Sequence, residues 1–355
     1  MSRLRYEDTG VAAQEGALAR VKRHLGATLE LSGARPLTGF GHYASVLELA
    51  PGLALALCTD GVGTKTVVAA ALDRYETIGF DCVAMNVNDL LCVGARPLAL
   101  VDYLGVHTLD EDRVGRILEG LAAAAAEAGI SVPGGEIAQL PDVIGSDGRG
   151  PGDPLAFDLV GTCVGTLAPD DLLTGDAIGP GDAVVGIASS GIHSNGLTLA
   201  RRVLAGPDGP GLYGYREELG RTVGEELLEP TLIYVRPVSA LWAAGIRPHG
   251  LAHITGDGLA NLGRLNPRVG YRIDGLFDIP PVFSLIQEAG EVSTEEMFGV
   301  FNMGVGFVAI VRGDQVDESI ATISASGHAA RPLGEVTDEA GVVRVIPADL
   351  VWHAH

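Results

Sequence analysis

Apolar residues between positions 12 and 29 recur at helical spacing. Ala17, Leu18, Val21 and Leu25 share one face, and Lys22 reads as a surface residue. After Gly39-Phe40-Gly41 the pattern shortens to that of strands, over 45–49 and over 53–59. A helical run follows over 67–72, and 76–94 reads as a second helix with a polar interruption. Residues 97–106 read as a strand. Residues 110–128 form the clearest helix pattern, with Asp110 as N-cap and Gly129 just past the end. Residues 130–132 lead into Pro133-Gly134-Gly135-Glu136. The segment 141–154, rich in Gly, Asp and Pro, reads as a mobile surface loop, and 157–167 as a strand.

The second half opens on a strand over 182–188. Ser189-Ser190-Gly191-Ile192-His193-Ser194-Asn195-Gly196 follows, then a helix over 197–204 and a loop over 206–211. A helix over 231–244 starts after Pro230, where proline suits a helix N-terminus. A strand over 305–311, a helix over 315–326 and a strand pair, 331–336 with 342–346, complete the pattern. Both halves mix strands and helices without strict β-α-β alternation, so the fold class is α+β rather than doubly wound. No short-period repeat is present. At 355 residues two domains are expected, 1–168 and 169–355, divided at Ala168-Pro169-Asp170-Asp171.

Composition changes the picture in two ways. The net charge of −21 repels nucleic acid and anionic membranes, so neither is an expected partner. It repels nucleotides as well, so a phosphate site here needs locally focused positive charge. Only two of the 24 basic residues are lysines, Lys22 and Lys65. No apolar run approaches the ~18 residues of a membrane span, and Met1–Gly10 shows no secretory pattern. Cys58, Cys82, Cys92 and Cys163 form no Cys-x-x-Cys pair, which points away from zinc and toward a reduced, cytoplasmic enzyme.

Four constellations could carry chemistry. The strand ending at Thr59 runs into Asp60-Gly61-Val62-Gly63-Thr64-Lys65 and then a helix, a common way to build a phosphate site, although not a Walker A motif. Lysine and arginine are not interchangeable where a compact charge must approach an oxyanion. Asp60, Asp89, Asp102 and Glu136 sit in or beside apolar elements, where a carboxylate is costly unless paired or metal-bound. Singly each reads as a cap or ion pair; as a group they open a shared magnesium site. Ser189–Gly196 gathers hydroxyls, amides and free N–H groups at a helix start. There His193 reads as a phosphate donor or proton-transfer group, or as a bystander to a cap made by Ser194 or Asn195. His253-Ile254-Thr255-Gly256 and Phe301-Asn302-Met303-Gly304-Val305-Gly306 are weaker signals, and His253 reads first as a satisfied core histidine.

Taken in order, these motifs resemble the phosphoribosylformylglycinamidine cyclo-ligase, or AIR synthetase, family. Tyr6-Glu7-Asp8-Thr9-Gly10-Val11, Gly39-Phe40-Gly41, Asp60–Lys65, Val83-Ala84-Met85-Asn86-Val87-Asn88-Asp89, Gly134-Gly135-Glu136, Ser189–Gly196, His253–Gly256 and Phe301–Gly306 all match, across nearly the whole chain. The resemblance implies two α+β domains and a homodimer whose N-terminal strands form a shared barrel. It implies ATP and Mg²⁺ as cofactors and closure of formylglycinamidine ribonucleotide to aminoimidazole ribonucleotide through an iminophosphate. For the site residues we expect His193, Asp89 and Lys65 in catalysis. Gly39, Gly41, Asp60, Gly61, Gly63, Thr64 and Lys65 are expected on the nucleotide. Ser190, Gly191, Ser194, Asn195, Thr255 and Gly256 are expected on the substrate, and Asp60, Asp89 and Glu136 on the metal. Ile137, Gln139 and Asp257 depart from the family pattern, which commonly has threonine, glutamate and glycine there. They leave two alternatives: a related ATP-using enzyme with a changed substrate, or a nucleotide-binding paralogue without turnover.

Overall fold

The computed structural model describes residues 5–10, 15–29, 31–145, 152–207 and 209–353. Parts of the expected N-terminal helix (12–14) and of the 141–154 loop (146–151) lie outside the described residues.

The first half builds one six-stranded sheet from β1 (Arg35–Pro36), β2 (Ser45–Ala50), β3 (Leu53–Gly61), β4 (Arg96–Val106), β5 (Ser131–Gln139) and β6 (Phe157–Leu167), in the order β1-β2-β3-β6-β4-β5. All neighbours are antiparallel except β4 and β5. Helix α1 (Glu15–Leu25) precedes the sheet; α2 (Lys65–Leu72), α3 (Ile78–Cys92) and α4 (Glu111–Ala128) follow its strands. Asp110 caps α4 by accepting from the Arg113 N–H at 2.9 Å, and Gly129 ends it at φ +69°, both as the sequence pattern predicts.

The second half builds a seven-stranded sheet, β10-β12-β7-β13-β11-β14-β15. Its strands are β7 (Asp182–Ala188), β10 (Gly250–His253), β11 (Gly270–Ile273), β12 (Val305–Arg312), β13 (Ala330–Thr337), β14 (Val342–Val345) and β15 (Leu350–His353), with a small hairpin of β8 (Tyr215–Arg216) and β9 (Arg221–Thr222) outside it. Helices α5 (Leu197–Leu204), α6 (Val223–Leu227), α7 (Val235–Ala243), α8 (Pro281–Ala289), α9 (Thr294–Val300) and α10 (Val316–Ala325) complete it.

Two readings change, and the Gly134–Gly135 segment gains a place: β5 passes through it beside β4. A Cβ at Gly135 would lie 2.2 Å from Asp102 Oδ1, so the position has no room for one. The expected helix at 231 begins only at Val235, because side chains of α3 take the N–H groups of Thr231 and Tyr234. Strands β13 and β14 do not pair with each other; β11 lies between them.

Helix α3 joins the two halves. It packs on β3, β4 and β6 on one side and on β10 and α7 on the other. Its polar residues therefore face a protein seam, not solvent, and Asp81, Asn86 and Asn88 are fully buried.

Candidate active site between the two domains

A cleft of about 510 Å³ opens along this seam. From the first half it is lined by Phe40–Tyr43, Asp60 and Asp89, and from the second by Thr255, Asn261 and Arg264. Asp60 reaches it because β3 ends there. Asn86 of α3 fixes that end, accepting from the Asp60 N–H (3.1 Å) and donating to the Asp60 carbonyl (3.1 Å). Asp60 Oδ1 accepts from the Gly61 N–H at 2.8 Å. Asp89, near the end of α3, accepts through Oδ1 from Nδ1 of the fully buried His253 at 3.0 Å. Asn88 braces the opposite half by donating to the Leu232 carbonyl and accepting from the Tyr234 N–H, each at 2.9 Å.

The two carboxyls share one poorly solvated cleft, and their charges act on each other. Burial, then the Asp89 charge, raises the Asp60 carboxyl to about 6; the Gly61 N–H and His253 oppose the rise. Burial raises Asp89 as well, against its bond to His253. Among the described residues no donor reaches the second oxygen of either carboxyl. The pair suits a divalent cation whose remaining ligands are phosphate oxygens and water, the usual magnesium arrangement. No group of three or more His, Cys, Asp or Glu with metal-binding geometry occurs among the described residues.

Of the residues expected from sequence, Gly41, Asp60, Asp89 and Thr255 line this cleft. Gly39 lies two residues before Gly41 and does not line it. Glu136 is placed elsewhere. Asp60, Gly161, Asp102 and Gly135 form one register row across four strands, so β5 is roughly 14 Å from Asp60 at ordinary strand spacing. Glu136 is one residue further on and faces the opposite side of the sheet. In one chain it does not join Asp60 and Asp89 on a metal.

The Asp60–Lys65 turn also diverges from expectation at its end. Gly63 takes φ +71° and releases the chain into α2. Thr64 Oγ1 then meets Thr198 Oγ1 of α5 at 2.9 Å. Lys65 has 0 % exposure; its Nζ donates to Asp81 Oδ1 (2.8 Å) and the Glu229 carbonyl (2.5 Å). An ammonium so enclosed does not contact a nucleotide phosphate.

Ser190, Gly191, Ser194 and Asn195 lie in the loop between β7 and α5 and are not among the residues lining the cleft. Asn302 clamps this loop, donating to the Gly191 carbonyl (2.8 Å) and accepting from Ser189 Oγ (3.0 Å). Asn195 lies against Gly256, which connects the loop to the Thr255 side of the cleft. His193 is 2 % exposed at φ +64°; its Nε2 accepts from the Ser190 N–H at 3.2 Å, so the proton sits on Nδ1, which has no partner among the described residues. Burial, with the nearby His253 and Lys65, pushes this imidazole well below its usual value. It is a neutral, inward-facing side chain that is not among the residues lining the cleft.

Comparisons with known proteins agree with this architecture. The domain family described as "AIR synthase related protein, N-terminal domain" matches residues 41–167, and its C-terminal counterpart matches 179–346. The phosphoribosylformylglycinamidine cyclo-ligase of Methanothermobacter thermautotrophicus is 45% identical over 344 residues, 96% of each chain. That of Carboxydothermus hydrogenoformans is 42% identical over 354 residues, 98% of this chain and 99% of its own. The chain belongs to the phosphoribosylformylglycinamidine cyclo-ligase family. Among solved structures, one titled "AaThiL complexed with AMPPCP and TMP" matches the fold with a TM-score of 0.60 at 16% identity, covering 97% of this chain and 96% of its own. The tt0281 protein from Thermus thermophilus matches at 0.59 and 22%, covering 93% of this chain and 97% of its own.

Within this family framework, sequence reasoning missed Arg264, the cleft's guanidinium. It lies six residues beyond Gly258 in a 3₁₀ segment with no motif of its own, and it pairs with Asp257. Asp257, one of the departures, takes φ +68°, a conformation that favours the glycine usual there. Ile137 and Gln139 lie on β5 and do not line the cleft. His253, read first as a core histidine, is buried as expected and also orients Asp89.

Proposed function

We propose that this chain catalyses the ATP-dependent closure of formylglycinamidine ribonucleotide to 5-aminoimidazole ribonucleotide, with release of ADP and phosphate, in purine biosynthesis. The observation that carries the reading is the pair of poorly solvated carboxyls, Asp60 and Asp89, set opposite Thr255 and Arg264 in a chain 45% identical to a cyclo-ligase over nearly its full length. The amide oxygen of the substrate is a poor leaving group. Phosphorylation converts it to an iminophosphate, the amidine nitrogen attacks that carbon, and the oxygen departs as phosphate. The protein's share is positioning and charge neutralisation.

Asp60 and Asp89 would hold magnesium, which neutralises charge on the triphosphate when bound. His253 holds Asp89 in one orientation. Arg264 supplies the positive charge that an acidic protein must bring to phosphate, and the chain at Gly41 and the turn at Gly61–Thr64 border the nucleotide. Ser190, Gly191, Ser194, Asn195, Thr255 and Gly256 contact the ribonucleotide from the other domain.

The outward face of the N-terminal sheet carries part-exposed Leu55, Leu57, Val101, Tyr103, Val160 and Val164. An apolar sheet face of this kind supports a homodimer. No helix among the described residues is long and apolar enough to cross a membrane, and all four cysteines are free thiols. Both support placement in the cytoplasm.

Incubation with formylglycinamidine ribonucleotide, ATP and Mg²⁺ is expected to yield ADP and the aminoimidazole product in equal amounts, and chelation to stop it. Asp89→Asn is expected to lower kcat by about 100-fold or more while the fold is kept. ATP binding without ADP formation on this substrate would instead identify a nucleotide-binding paralogue.

A further inference from the structure

The buried lysine that does not face the cleft ties the two domains together. Lys65 and Asp81 come from α2 and α3 of the first domain; Glu229 and Thr231 come from the second. Asp81 Oδ1 accepts from Lys65 Nζ (2.8 Å), from the Thr231 N–H (2.9 Å) and from Thr231 Oγ1 (2.6 Å), while Lys65 also donates to the Glu229 carbonyl. Lys65 and Asp81 are fully buried and Thr231 is 1 % exposed. The segment held in this way bonds in turn to the 190–195 loop. Ser190 Oγ donates to the Pro230 carbonyl at 2.6 Å, and Ser194 Oγ lies 3.4 Å from Thr231 Oγ1.

The same rigid elements carry the cleft acids. Asp60 and Lys65 are the two ends of one turn, and Asp81 and Asp89 lie eight residues apart on α3, about 12 Å along its axis. A displacement of the Lys65–Asp81 contact therefore moves the 229–231 segment and the Ser190–Ser194 loop relative to Asp60 and Asp89. We propose that Lys65 and Asp81 are positioning residues that set the substrate loop at 190–195 in register with the metal-binding acids across the domain seam. This rests on the reading that the loop contacts the ribonucleotide.

The choice of lysine follows from the geometry. One compact ammonium with three rotatable donors reaches a carboxylate oxygen and a carbonyl within a fully enclosed space, where a larger guanidinium would have to fit its fixed planar fork to both. Stability alone gives little reason to keep such a pair, because a buried ion pair is often no better than an apolar replacement of equal volume. Its value lies in the directional bonds it makes to Thr231 and Glu229.

The test is the double variant Lys65→Met/Asp81→Asn. It removes both charges together and leaves an amide oxygen to accept from Thr231. We expect a folded protein with KM for ATP within about threefold of wild type and kcat lower by about 100-fold, the scale of a misplacement of about 1 Å. A folded double variant with wild-type kcat and both KM values unchanged overturns the proposal. Thr231→Val removes only the hydroxyl and serves if the double variant does not fold. It is expected to lower kcat about tenfold without moving KM for ATP, and unchanged kinetics there overturn the proposal equally. Hydrogen exchange reads the positioning without turnover: amides of 189–196 are expected to exchange at least about tenfold faster in either variant while those of 53–61 stay protected. Unchanged exchange at 189–196 overturns the positioning role. A wild-type protein inactive on the substrate overturns the proposed reaction and leaves this readout intact.

Discussion

His193 occupies a left-handed backbone conformation that few side chains adopt, and its ring is neutral and sealed from water. The residue type suggested proton transfer; what the location adds is that burial holds the imidazole below its ordinary value, so the ring stays neutral. The unfolded chain carries the ordinary value near 6.5, so as pH falls the unfolded state binds a proton before the folded state does. His193 leaves stability intact above about 6.5 and lowers it below, by about 1.4 kcal/mol per pH unit. In urea titrations at pH 8 and pH 5, His193→Asn is expected to be the less stable protein at pH 8 and to close the gap by about 1–2 kcal/mol at pH 5. Asparagine tolerates the left-handed conformation and can accept from the Ser190 N–H. A gap independent of pH would show that the imidazole is not the group being titrated. Lys65 teaches the same lesson. Its rarity among 22 arginines marked an unusual position correctly, but the sequence could not say whether the ammonium faced a ligand or Asp81.

Helix α3 is the element on which most of the site depends, and its sequence reads as a compromised helix because polar residues interrupt the apolar pattern. Those residues are the helix's purpose: Asp81, Asn86, Asn88 and Asp89 reach strand ends and segments in both domains. Periodicity alone assigns such residues to a solvent face, whereas the sheet of the first domain covers Asn86 and the second domain meets Asp81, Asn88 and Asp89. The helix is also held from outside. Its start crosses α4 so closely that a Cβ on Gly120 would lie 1.9 Å from the Glu76 carbonyl oxygen, and one on Gly79 2.0 Å from the Leu121 nitrogen. Gly120→Ala gains helix propensity of about 1 kcal/mol but must push the two backbones apart. The net result is expected to be destabilisation by about 2–3 kcal/mol, seen as a lower urea midpoint with unchanged slope. A neutral or stabilised Gly120→Ala would mean that the crossing relaxes without strain.

At the scale of the whole molecule, the outward sheet face of the first domain is the feature not used within one chain. Val101 is 44 % exposed there and Tyr103 38 %. Val101→Arg is expected to leave the melting temperature of the single chain nearly unchanged and to convert a species of two-chain mass to one-chain mass in sedimentation equilibrium. A wild-type protein that sediments as one chain at micromolar concentration would remove the homodimer from the proposal. The fold class, the long helix with its caps, most of the strands and the order of the family motifs were legible in the sequence, because each depends on spacing and residue type within a short window. The cleft acids Asp60 and Asp89 were legible for the same reason: a carboxylate at the end of an apolar element needs a partner. Where each charge points was not legible. Glu136 belongs to the same motif set yet faces the other side of the sheet, since one residue along a strand reverses the side chain. Arg264 has no local pattern and reaches the cleft only because the second domain packs against α3. The sequence by itself determined which residues could carry charge and how the local elements form. Tertiary structure alone decided which of those charges meet each other and which remain in the cleft, because burial and pairing depend on how separate elements pack, from Lys65 with Asp81 inside the first domain to Asp89 with His253 across the seam.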